Sequence, residues 1–394
     1  MRLRIRWLLL IATLLLAPLT ASADQMVPPV SVVGPFSSPR PEEGGLYVNF
    51  SFVYMRANRP MPLSQQIAVR GIKDLDGSFS GGPAGTFVGS GEEALNTDQL
   101  RGPGNWQPGW DLFIGWKFQS GIAVELAWRH LVQAKYFAGA QIIPPNFNVG
   151  SQFENTFLFA PVTNFSTDWA GSLQNIPVGT PAATFGIWNG ASIMSIEFIQ
   201  RYDIYGINAR FPIDQSENHR SYGLFGPRIV WIWERFGWRT VDVDLQGNAG
   251  PDTTANYTNM VSNRMYGLHG GFGNDWYLGS TMLGALSFEL DLEAGLYLDM
   301  VKTRAGYERG DRGVSAHRSR RMNALTPSLE LRAGMKWYVW EGITVELGYD
   351  IQTYFNTIAS PRPVDYNLSQ VDPRYDYIFF RWYHGMRLGI NFSF

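Results

Sequence analysis

Cysteine is absent from the 394 residues, which removes disulfide scaffolds, thiolate nucleophiles and thiolate metal sites together. Charge is scarce: Asp, Glu, Lys and Arg make up only 17%, with acids slightly in excess. A general nucleic-acid binder is normally basic, so no nucleic-acid partner is expected. Beyond residue 19 no apolar run approaches the roughly 20 residues that a membrane-spanning helix needs. The five histidines are scattered at 130, 219, 269, 317 and 384, without the spacing of metal ligands. The glycine-rich stretch GGPAGTFVGSG at 81–91 lacks the Gly-Lys-Ser/Thr ending of a phosphate loop. No metal or other cofactor is therefore implied.

Aromatic residues, by contrast, reach 14%, although the mean hydropathy is slightly negative. Such a chain is too apolar for disorder and too polar for a bundle of membrane helices. A membrane-spanning barrel satisfies both observations, because alternate strand residues face lipid and a polar interior. The N-terminus fits that destination. Arg2, Arg4 and Arg6 precede an apolar core from Trp7 to Leu19, and Ala21-Ser22-Ala23 is a small-residue cleavage site before Asp24. Residues 1–23 are accordingly expected to be a signal peptide, and removing them makes the net charge of −2 more negative. The Pro- and Ser-rich stretch 24–44 is expected to be a periplasmic linker, leaving 45–394 for the barrel.

Two-residue alternation then recurs along the chain. Leu46, Val48, Phe50, Phe52 and Tyr54 form one apolar row, and Trp110, Leu112, Ile114, Trp116 and Phe118 another. Val124, Leu126 and Trp128 alternate with Ala123, Glu125, Ala127 and Arg129. The longest row runs from Met282 through Leu286, Leu290 and Leu296 to Met300, with Ser287, Glu289, Asp291, Glu293 and Asp299 between its members. Leu329, Leu331, Ala333, Met335 and Trp337 oppose Ser328, Glu330, Arg332 and Lys336, and Ile343, Val345, Leu347 and Tyr349 oppose Glu346 and Asp350. A helical period would scatter these charges around every face. Met194, Ile196, Phe198 and Tyr202 face away from Ser195, Glu197, Arg201 and Asp203, and weaker candidates lie at 221–235 and 257–272.

The pattern predicts an all-β, antiparallel transmembrane barrel of about ten strands. Long connectors at 57–108, 134–190, 236–256, 301–322 and 356–376 are assigned to the cell exterior. Shorter ones at 120–121, 206–220, 273–280 and 340–342 are assigned to the periplasm. Phe153, Phe157 and Phe159 in the second long connector leave room for another hairpin and a twelve-strand barrel.

Several side chains stand out within this scheme. Glu289, Asp291, Glu293, Asp299, Glu330, Arg332, Lys336, Asp350 and Arg387 are assigned to the lumen, either as a salt-bridged network or as a selectivity stripe. The connector 301–322 carries Arg304, Arg309, Arg312, Arg318, Arg320 and Arg321, a candidate surface loop for anions. Phe392 and Phe394 close an apolar C-terminal strand and resemble the signal read by the barrel-assembly machinery. Asp111, Glu234 and Asp299 are acids assigned to extracellular strand ends, without a recognisable nucleophile or base beside them.

Residues 221–297 also carry a resemblance. Tyr222-Gly223-Leu224-Phe225-Gly226-Pro227-Arg228 is followed by Trp233-Glu234-Arg235-Phe236, then by Asn263-Arg264-Met265-Tyr266-Gly267-Leu268-His269-Gly270-Gly271 and Glu293-Ala294-Gly295-Leu296-Tyr297. These segments resemble a planctomycete outer-membrane family, beta-barrel porin-7, with His269 where glutamine would be expected. The resemblance implies an outer-membrane barrel of porin type without assigned catalytic residues.

The expectation is therefore a non-enzymatic outer-membrane protein with a narrow or gated channel for small ions or solutes. Its partners are membrane lipid and the export and assembly machineries. A structural or adhesive surface barrel is the alternative, and a barrel-borne hydrolase a more remote one.

Overall fold

The computed structural model describes residues 45–394 except 59–60, 62, 75–76, 79, 84–85, 102–105, 142–152, 165–186, 217, 244–247, 282–283 and 341. The expected signal peptide and linker lie outside the described residues.

Ten antiparallel strands close into a barrel: β1 (Gly45–Ala57), β4 (Trp106–Lys117), β5 (Ala123–Gln141), β7 (Ile193–Gln215), β8 (His219–Val241), β9 (Thr254–Thr281), β10 (Gly284–Arg309), β11 (Ser315–Trp340), β12 (Ile343–Arg362) and β13 (Arg374–Ser393). Each strand pairs with its neighbours in sequence order, and the ring closes where β1 pairs with β13. Closure leaves no unpaired edge, the condition for irregularity-free backbone in lipid. At the seam the Phe394 amide donates to the Leu46 carbonyl at 2.8 Å, so both ends of the barrel chain meet at one rim.

The alternation is realised as two walls. On β1, Phe50, Phe52 and Tyr54 are exposed outward while Ser51, Val53 and Met55 are buried inside. On β10, Leu292, Leu296, Leu298 and Met300 face out, opposite the buried Glu289, Asp291, Glu293 and Asp299. The outward wall also carries an aromatic girdle of the kind that marks membrane interfaces. In it Trp110 lies against His130, and Trp382 stacks on His384, each at 4.4 Å between ring centroids.

Three features differ from the sequence expectation. The connector 301–322 is mostly not a loop: β10 runs to Arg309 and β11 resumes at Ser315, with strand register maintained from Lys302–Arg321 to Glu308–Ser315. Connectors 236–256 and 206–220 shorten in the same way. The reason is that a ladder needs paired backbone groups, not apolar side chains, so strands continue beyond the lipid where the hydrophobic row has stopped. Phe153–Phe159 does form a strand, β6, but it does not enter the barrel. It joins β2 (Gln66–Asp74) and β3 (Thr86–Asn96) in a separate three-stranded sheet, so the twelve-strand alternative gives way to ten.

That small sheet and the segments around it cap the extracellular mouth. The Leu158 and Ala191 backbones exchange hydrogen bonds of 2.7 and 3.0 Å. Gln65 and Val364 do the same through the Gln65 amide side chain, at 2.8 and 3.1 Å. Beneath them Ile67, Leu95, Leu158, Trp188, Leu368 and Val371 pack on Ile196, Trp238, Tyr257 and Tyr307 from the inner walls of β7–β10.

Candidate functional site

From the periplasmic rim inward, the lumen begins as a vestibule of about 580 Å³ lined by Lys117, Glu125, Arg210, Asp275, Glu289, Lys336, Glu346 and Arg387. Most of its charges pair. Lys336 reaches Asp275 at 2.9 Å and Glu289 at 3.3 Å, and Arg210 reaches Glu125 at 3.1 Å. Gly273 belongs to this wall by necessity, because a β-carbon there would lie 2.3 Å from both Asp291 and the Tyr222 ring. Its absence leaves room for the Tyr222 hydroxyl to donate to Asp291 at 2.7 Å.

Above the vestibule the lumen is crossed by one layer of buried ion pairs. Arg387 spans Glu346 at 2.8 Å and Asp350 at 3.2 Å. Arg129 bridges Asp350 at 2.7 Å and Asp111, with Glu330 at 3.6 Å. Glu330 also takes Arg332 and Arg228, each at 2.8 Å, and Arg228 extends to Glu293 at 2.8 Å. Strands from all sides of the barrel therefore meet in a shared network, with alternating signs that neutralise one another where water is excluded.

A largely apolar layer follows. Tyr202 stacks on Tyr383 at 4.2 Å, and its hydroxyl lies 2.6 Å from Gln352 and 2.8 Å from Tyr354. Val53, Met55, Leu131, Ile204, Val230 and Met265 fill the space around these rings. Higher still, Arg381 holds Glu234 through two hydrogen bonds, one of 2.8 Å. Gln200 donates to Glu234 at 2.9 Å and accepts from Gln107 at 3.0 Å. The capped mouth lies above. Tyr202 and Tyr383 are at most 1% exposed, so the lumen is filled at mid-height.

The lumen assignments made from sequence all fall on the inner wall, and most of them are brought together. Glu289, Glu293, Glu330, Arg332, Lys336, Asp350 and Arg387 enter the ion pairs just described. Asp291 accepts from Tyr222, while Asp299 is fully buried with no ion pair among the described residues. Asp111 and Glu234 do not stand at an extracellular rim. Each lies inside, held by Arg129 and Arg381 respectively. Sequence reasoning did not single out Arg129, Arg228 and Arg381, although each occupies an inward position of a recognisable alternation.

The arginine-rich stretch divides. Arg318 and Arg320 turn inward and share Asp372, Arg318 at 3.2 Å. Arg309 binds Asp311 at the hairpin tip at 2.7 Å, and Arg312 lies 3.7 Å from Glu308. Arg304 and Arg321 point outward from the paired strands. The six therefore do not share one face or one loop. Phe392 and Phe394 sit on the lipid-facing side of β13 and its end, both exposed.

A closed antiparallel barrel with an apolar outer wall and a charged inner one defines an outer-membrane β-barrel protein. The model of one family, described as the Legionella pneumophila major outer membrane protein precursor, matches residues 84–376. The chain belongs to this outer-membrane protein family, and its place is the outer membrane. No curated protein matches it. Among solved structures it is similar to the outer membrane protease OmpT of Escherichia coli, at 11% identity over 89% of this chain and 97% of that one, with a TM-score of 0.36. It is also similar to the toluene transporter TodX of Pseudomonas putida, at 8% identity over 92% of each chain and a TM-score of 0.24. A Pseudomonas aeruginosa FadL homologue is 11% identical over 89% of each chain, with a TM-score of 0.18. At these scores none of the three bears on what the chain does.

Proposed function

We propose that this barrel is a porin-type protein whose route for small ions or solutes is narrow and closed at rest. The observation that carries the reading is the stack of buried layers between the periplasmic vestibule and the extracellular cap. Eight strands give an interior filled by side chains and sixteen to eighteen an aqueous channel. A ten-stranded lumen lies near the filled end, and its charged side chains span it. Passage then requires the ion-pair and tyrosine layers to part. The resemblance of residues 221–297 to the planctomycete porin family supports the same reading, since its Arg228, Glu234 and Glu293 all belong to those layers.

A non-catalytic role agrees with the state of the buried acids. Asp111 and Glu234 are engaged by arginines inside the filled lumen, so neither carboxylate stands open to a substrate. The leader with Ala21-Ser22-Ala23 and the terminal Phe392 and Phe394 supply the features that export and barrel-assembly machineries would read. The filled lumen also favours a second reading, a surface barrel whose capped exterior is the working part.

Planar-bilayer recording of the purified protein separates the two. Small or rare conductance steps are expected, becoming more frequent when Tyr202 and Tyr383 are both changed to Ala. Complete silence of both proteins would favour the surface barrel. Large, stable and weakly selective openings of the unaltered protein would overturn the closed-channel reading.

A further inference from the structure

The outer wall changes character abruptly on three adjacent strands. On β10 the exposed row Leu296, Leu298 and Met300 gives way to Lys302 and Arg304 on the same face. Register sets Lys302 beside Arg321 of β11 and Ser262 of β9, and Arg264 lies two residues along β9 on the same outward side. Lys302 feels the like charges of Arg304, Arg321 and Arg264 together. None of the four forms an ion pair among the described residues. Arg264 instead lies 5.4 Å from the centroid of the outward Trp231 ring. The neighbouring bases behave differently, since Arg309, Arg318 and Arg320 each have an acid.

Four clustered cations repel one another unless an anion arrives. Their position says which anion. Lys302, Arg304 and Arg321 stand immediately above the apolar band and Arg264 at its last row, level with Met300, with Tyr266, Leu298 and Leu325 exposed below them, so the layer they meet is that of lipid headgroups. We propose that Arg264, Lys302, Arg304 and Arg321 form a binding site for the phosphates of an anionic outer-leaflet glycolipid, whose acyl chains lie along the apolar row beneath. Guanidinium forks match phosphate oxygens in pairs, and Lys302 adds a point charge between them. The site follows from the outer-membrane location and does not depend on whether the lumen conducts.

The test uses the purified full chain in uncharged detergent. Binding of lipid A bearing both phosphates is followed by native mass spectrometry and by Trp231-sensitive fluorescence, beside the same lipid with its phosphates removed. The unaltered protein is expected to prefer the phosphorylated lipid by at least about tenfold, because each surface cation near an anionic headgroup adds to the attraction. Changing all four residues to Gln removes that preference, whereas R309Q/R312Q at the hairpin tip retains it. The single variant K302E, a milder perturbation of the fold, weakens binding in the same direction. Equal binding of both lipids, or unchanged preference in a folded four-residue variant, would overturn the proposal. So would full displacement of the lipid by inorganic phosphate or a soluble acidic polysaccharide at the same concentration, because the lipid-held ligand would then not be the one selected.

Discussion

On β10 the inner wall carries Glu289, Asp291, Glu293 and Asp299, while the outer wall of the same strand carries leucines and then Lys302 and Arg304. The backbone treats the two rows alike, and the surroundings treat them oppositely. Inside, little water remains to screen a charge, so Glu293 is drawn to Arg228 across β9, Glu289 to Lys336 and Asp291 to the Tyr222 hydroxyl. On the outer face of β10, charge is excluded from the apolar row and reappears unpaired above it at Lys302 and Arg304, where solvent and headgroups can satisfy it. On β10 most charges are thus met in one of two ways: by a protein partner within the lumen, or by a polar layer outside it.

The largest expected effect breaks the inner rule. Arg381→Met strands the buried Glu234, and loss of one partner of such a pair costs about 3–5 kcal/mol. Urea unfolding from liposomes should register it, with E234L/R381M recovering most of the loss. A double variant as unstable as the single one would mean that the pair itself, rather than the abandoned carboxylate, sustains the wall. The outer rule is broken by Leu292→Arg, near the middle of the apolar row. A loss of about 2–4 kcal/mol is expected if that position lies at the bilayer midplane, and no loss in the same assay would reverse the assignment of faces.

The smallest effect concerns a charge that neither rule governs. Asp311, at the exposed hairpin tip, is held below the usual carboxylate range by hydrogen bonds from Arg309 and the Gly313 amide. A depressed folded-state value contributes stability above the unfolded pKa and loses it as pH falls through the folded one. Full exposure screens the gain, so Asp311→Asn should leave unfolding unchanged within error. An NMR titration should still show the Asp311 carboxyl ionising at lower pH than in R309Q.

Much of this architecture was legible in single strands. Leu286 to Met300 and Leu329 to Trp337 assign both faces without a second sequence, because a one-residue slip would put every charge into lipid. The ion pairs were less legible. Asp350 is 221 positions from Arg129 and Glu234 is 147 from Arg381, and periodicity places a side chain on a wall without saying which strand it faces across the lumen. The strand extensions escaped for a different reason. Around Arg304 the apolar row changes sides, with Val301, Ala305 and Tyr307 buried inside, and around Arg321 both rows are polar, so the lipid-facing signal stops while the backbone ladder continues. The cap sheet is legible only as the Phe-bearing β6, since its partners β2 and β3 come from another connector.

The seam between β1 and β13 makes the order of the strands a matter of convention. Both ends of the barrel sit at one rim, with the Phe394 amide bonded to the Leu46 carbonyl, and every other backbone pairing in the ring joins consecutive barrel strands. Joining those ends by a short linker and opening the chain at the Gly342 turn would turn the seam into an ordinary hairpin and leave each lumenal pair where it is. The rearranged polypeptide would finish at Trp340, an outward aromatic that is 71% exposed. Circular permutation at this point therefore separates the geometry of closure from the identity of the last residue.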